Sequence, residues 1–171
     1  MRTILHHVKA EKKLILGIIV LAVVLIVLNY LPRCLVTKLC GSPSVDRLVR
    51  KTSVIETPRG TIVAEVADTQ ESQERGLSGR NSIEEGRGML FVFPYPGHYG
   101  FWMKDMNFPI DMIWINASGT VVYMVENARP ESYPAQYINK PDASYVLEIG
   151  AEESTKQGIF LGVHLGLTGQ N

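Results

Sequence analysis

The chain has 171 residues, 46% of them apolar, and 17 Lys and Arg balance 17 Asp and Glu. That balance leaves no long-range field to gather nucleic acid, so nucleic acid is not expected as a partner. Its two cysteines, Cys34 and Cys40, both precede the strand-rich region, which excludes thiol catalysis and zinc–thiolate sites there.

Residues 14–31 read LILGIIVLAVVLIVLNYL, with no charge and a single amide, Asn29. As a helix this run reaches roughly 27 Å, close to the thickness of a bilayer's hydrocarbon. It is apolar on every face rather than along one stripe, so it reads as a transmembrane helix and not a core helix. Arg2, Lys9, Lys12 and Lys13 lie densely before it, and Arg33 and Lys38 follow. This bias predicts a cytoplasmic tail over residues 1–13 and an extracytoplasmic remainder. A cleaved signal peptide is the alternative. Against it stand the length of the run and the lack of an A-x-A site beyond it. Residues 32–52 form a linker, broken by Gly41-Ser42-Pro43-Ser44. Within it Cys34 and Cys40 can close a small disulfide loop, stay free, or be acylated at the membrane surface.

Residues 53–171 are long enough for one domain with its own core. Val54-Ile55-Glu56, a turn at Pro58-Arg59-Gly60, and residues 61–66 predict a hairpin. Asp68 and Thr69 are good N-caps, Glu71 and Glu74 suit first turns, and a helix is expected over 69–77, ended by Gly76 or Gly79. An apolar strand over 88–93 is stopped by Pro94, and 94–100 is a loop. Strands follow over 101–106 and 111–115, with a turn at 116–119 and a return strand over 120–127. Residues 128–142, with three prolines, read as an irregular loop. A strand over 144–149, a second short helix over 151–157 and a closing strand over 160–165 complete the chain. The pattern predicts a mainly β (α+β) domain, a compact antiparallel β-sandwich or partly open barrel with two short helices, preceded by one transmembrane helix.

Five motifs occur in order: Gln73-Glu74-Arg75-Gly76-Leu77-Ser78-Gly79-Arg80, Gly88-Met89-Leu90-Phe91-Val92-Phe93, Phe101-Trp102-Met103-Lys104-Asp105-Met106, Pro109-Ile110-Asp111 and Tyr145-Val146-Leu147-Glu148-Ile149. Together they resemble the UPF0127 family, the DUF192 domain, over about residues 53–167. The resemblance implies a small, mostly β domain, often behind a signal or membrane segment. It implies no activity. The chain departs from the family pattern where Asp105-Met106 replaces Asn-Thr. It departs again at Gly150-Ala151-Glu152, where Glu152 and Glu153 would repel an anion from the second helix.

Six residues are candidate ligand-binding residues. Arg75 and Arg80 can clamp a carboxylate or phosphate; alternatively Arg75 caps a helix or pairs with Glu148 or Asp111. In a strand, Trp102 and Lys104 share one face and offer an aromatic ring beside a cation, a floor for a small polar ligand such as a sugar. Asp111 enters an apolar strand and is expected to be buried and paired with Lys104, Arg75 or Arg80. Glu148, among Val146, Leu147 and Ile149, is a second carboxyl in an apolar strand. Met103, Met106 and His98 suggest a soft-metal site, but Met is also a common core filler, and no metal or cofactor is expected. The function expected is that of a membrane-anchored extracytoplasmic module that binds a small ligand or serves as an accessory. The alternatives are a hydrolase with Asp111 and Glu148 as acid and base, and a structural envelope protein that binds another protein. The expected partners are the bilayer, through residues 14–31, and a small polar ligand or an envelope protein.

Overall fold

A computed structural model describes residues 51–168. The expected transmembrane helix, both cysteines and nearly all of the linker lie outside the described residues. Among the described residues no helix is long and apolar enough to cross a membrane.

The chain forms β1 (Thr52–Thr57), β2 (Gly60–Ala67), α1 (Gln70–Arg75), β3 (Arg87–Gly97), β4 (Gly100–Trp102), β5 (Ile110–Ile115), β6 (Val121–Ala128), β7 (Gln136–Ile138), β8 (Ala143–Gly150), α2 (Glu153–Gln157) and β9 (Gly166–Thr168). Seven strands make one sheet in the order β6-β5-β8-β3-β2-β1-β9, and β4 pairs with β7 in a separate ribbon. The domain is mainly β with two short α-helices, as expected. The sheet is mixed, however, because β2 and β3 run parallel, from Val63 opposite Arg87 to Ala67 opposite Phe91. A parallel pair needs a crossover, and α1 with the segment after it supplies one. The sheet does not close into a barrel, since β6 and β9 are its two ends. A single bridge between Thr120 and His164 ties the chain ahead of β9 to the start of β6.

Each face of the sheet carries its own core. Met89, Phe91, Met112, Trp114 and Val146 pack on one side. Leu90, Ile113, Ile115, Leu147 and Ile149 pack on the other. Strand alternation produces this split, and β5, buried at every position, reads as an apolar run broken only by Asp111.

Several boundaries differ from the sequence reading. β3 continues through Pro94 to Gly97, because its register with β8 shifts between Val92 and Gly97 and the prolines there owe the ladder no N–H. The strand expected over 101–106 stops at Trp102, and Asp105 turns the chain with a left-handed φ of 56°. The proline-rich loop contains β7, which gives β4 its partner. Residues 160–165 are not a strand: Gly162 has a φ of 84°, and β-pairing with β1 begins only at Gly166.

Candidate functional site

Thr69 and Ser72 form a reciprocal capping box at the start of α1, and Gly76 ends the helix with a φ of 50°. The loop that follows is laced to the turn after β4. Ser78 Oγ donates to the Lys104 carbonyl at 2.9 Å, Gly79 N to the Asp105 carbonyl at 2.8 Å, and Asn107 Nδ2 to the Arg80 carbonyl at 2.9 Å. Two motifs distant in sequence thus become neighbours.

Aromatic rings build the inner wall. Phe101 meets Phe91 edge-on at 4.8 Å and Trp114 at 5.7 Å, and Phe93 stacks on Tyr99 at 3.5 Å. Between this wall and α1 lies a cleft of about 680 Å³. Its apolar lining comes from Leu77, Met106 and the rings, and its rim carries Gln70, Glu74, Arg75, Ser78, Lys104, Asp105 and Gln136.

Glu148 also lines the cleft. It sits opposite Met89 on β3 and Met112 on β5, so it shares the face of the first core. It is only 5% exposed, and no hydrogen bond reaches its carboxyl among the described residues. Burial raises its pKa from 4.5 to about 8, against the opposing pull of Arg80. At neutral pH this carboxyl therefore holds a proton.

Of the six candidate residues, Arg75, Trp102, Lys104 and Glu148 line the cleft. Lys104 is not on a strand with Trp102, yet the turn folds its Nζ back to 5.9 Å from the indole centroid. Arg75 pairs with Glu71 on its own helix at 3.2 Å. Arg80 does not line the cleft; it forms a two-bond fork with Glu65 at 2.9 and 2.7 Å.

Asp111 is elsewhere. Its register opposite Ile149 puts it on the second-core face, away from Glu148. It is fully buried, as expected, but its partners are not the cations Lys104, Arg75 or Arg80. It accepts from Asn127 N at 2.8 Å, Ser154 N at 3.0 Å and Ser154 Oγ at 2.6 Å. The first turn of α2 has free N–H groups, and Asp111 meets one of them from across the fold. Asp111 and Glu148 do not converge on one space. Of the soft-metal candidates, Met103 and Met106 are buried in the first core, and His98 lies 3.3 Å from Asp142. Sequence reasoning missed Tyr99, Phe93 and Gln136. Phe93 lay inside a quoted motif, whereas Gln136 sat in a loop without any signal.

The DUF192 family, described as Uncharacterized ACR, matches residues 53–167. Among solved structures the chain is similar to a proposed transcription regulator from Sinorhizobium meliloti 1021, at 30% identity and a TM-score of 0.64, over 71% of this chain and 95% of that one. It is also similar to a protein of unknown function from Novosphingobium aromaticivorans DSM 12444, at 26% identity and a TM-score of 0.61, over 67% of this chain and 83% of that one. No curated protein matches the chain.

Proposed function

Since the chain belongs to the DUF192 family, whose description carries no activity, we propose its function from the cleft: it is a binding module for a small polar ligand. The observation that carries this reading is the convergence of Arg75, Trp102, Lys104 and Glu148 on one concave, aromatic-walled space of about 680 Å³. Acid–base hydrolysis by Asp111 and Glu148 has less support, because the two carboxyls lie on opposite faces of the sheet. The name of the Sinorhizobium relative brings a transcription-regulator reading, which would call for a nucleic-acid surface if the regulator acted on DNA directly. Equal numbers of cationic and anionic residues give that reading no electrostatic support here.

The module works outside the cytoplasm, held by a membrane helix over residues 14–31. The uncharged run and the basic residues ahead of it support this placement. A protease added to intact cells that express the chain should remove the domain; survival of the domain until lysis overturns the orientation. For the cleft, a thermal-shift screen of sugars, amines and carboxylates on the full chain should give a melting-temperature rise that Trp102→Ala reduces. A rise unaffected by changes at Trp102, Lys104 and Glu148 would move the site elsewhere.

A further inference from the structure

We infer that the cleft takes a small organic cation, with an ammonium or guanidinium head seated among the aromatic rings and its charge against the Glu148 carboxylate. This inference rests on the cleft being a ligand site and names the class of ligand.

The argument begins with what Glu148 lacks. A buried carboxyl normally finds donors, and Asp111 in the same sheet finds three. Glu148 is nearly as buried and finds none among the described residues, although it lines an open space. Every cation around it has other business. Arg80, whose charge reaches Glu148 without a hydrogen bond, spends two guanidinium nitrogens on Glu65. Arg75 on α1 is paired with Glu71, and Lys104 lies over Trp102 at the mouth. The remaining charged groups of the lining, Glu74 and Asp105, are acids. An anionic ligand would find Arg75 and Lys104 only at the rim, beside Glu74 and Asp105, and the Glu148 carboxyl farther in. A neutral sugar would find rings and hydrocarbon along the inner wall, where its hydroxyls need partners. A cation brings a full positive charge to Glu148 and comes beside the rings of Phe91, Phe93 and Phe101, which tolerate a cation better than an anion. Tyr99 completes the wall with its ring stacked on Phe93.

The proton on Glu148 turns this into a test. A cation must displace it, so cation affinity should rise with pH until the carboxyl is ionised in the free protein. A ligand that accepts a hydrogen bond from the protonated acid should behave in the opposite way. Choline and methylguanidinium keep a fixed charge over the useful range and are suitable probes, with glucose and succinate as neutral and anionic controls. Calorimetric titration of the full chain should show one or both cations binding. Affinity should rise on the order of a hundredfold between about pH 6 and about pH 9, following the ionised fraction of a carboxyl with this midpoint. Glu148→Gln, close in shape to the protonated acid, should lose most of the affinity and all of the pH dependence. Binding of glucose or succinate without either cation overturns the inference and leaves the cleft as a ligand site. Cation binding that ignores both pH and Glu148→Gln also overturns it. No binding by any of the four probes counts against the inference and against the cleft reading together.

Discussion

Glu148 and Asp111 have the same chemistry and nearly the same burial, and they differ in what surrounds them. Unfolded, the Glu148 carboxyl titrates near 4.5; folded, it titrates at about 8. Between those values the folded protein holds a proton that the unfolded chain has released, so this group makes stability fall as pH rises through that window. Glu148→Gln keeps the neutral shape and removes the slope. Its melting temperature should exceed that of the parent at about pH 8.5 and approach it near pH 4.5, as read by thermal melts followed by circular dichroism. Equal melting temperatures at both values would mean that the carboxyl is not desolvated. Asp111 is the reverse case, with three donors aimed at its two oxygens. Asp111→Asn turns one oxygen into an amino group that faces an N–H. It should cost roughly 1–3 kcal/mol in urea denaturation, because a buried donor is left unmet. Ligand binding in the cleft should survive, since Asp111 lies on the other face. In the sequence the two acids look alike, each a carboxyl in an apolar strand. Only the register with neighbouring strands separates them, and register is not written in either strand alone.

The elements that were legible share a strong local signal. β1 and β2 flank a turn containing Pro58, β5 is an apolar run, β6 follows Asn116-Ala117-Ser118-Gly119, and α1 begins at Thr69 with its capping box. What was missed lacks such a signal. β7 is three residues inside a proline-rich loop, and it is a strand only because β4 is beside it. Met103 suggested strand alternation, but its burial comes from the turn that packs it into the first core. The parallel contact of β2 with β3 depends on how the crossover returns, which neither strand encodes. The cleft inherits these gaps: its residues were half visible as motifs, and the space between them was not. Gly88 tests the close packing of β3 against β8 that sets the inner wall. A Cβ there would meet the Glu148 carbonyl oxygen at 2.8 Å and Ile149 Cγ2 at 2.9 Å. Gly88→Ala should therefore destabilise the domain by roughly 1–3 kcal/mol, seen as a lower urea midpoint with an unchanged slope. An unchanged midpoint would mean that β3 and β8 shift apart at little cost.

At the scale of the whole domain, the two cores use opposite faces of one sheet and share every central strand, so neither can form alone. The closing segment belongs to this arrangement although little of it is regular. Ile159 and Leu165 are buried in the second core. β9 covers the outer edge of β1, where Ser53 Oγ donates to the Thr168 carbonyl at 2.7 Å and Thr168 Oγ1 donates to the Val54 carbonyl at 3.0 Å. The Thr120–His164 bridge reaches the far edge of the sheet at β6. The described residues, 51–168, fall within one compact unit. A fragment of residues 51–168 should therefore be soluble and unfold in a single cooperative transition, with the same midpoint by fluorescence and circular dichroism. A fragment of residues 51–158 keeps eight of the nine strands in sequence but opens the second core and bares the β1 edge. It should aggregate or melt without a sharp transition, because an uncovered edge and exposed apolar face invite association. If the shorter fragment melts as sharply as the longer one, the last ten residues are a surface tail rather than the wall that completes the core.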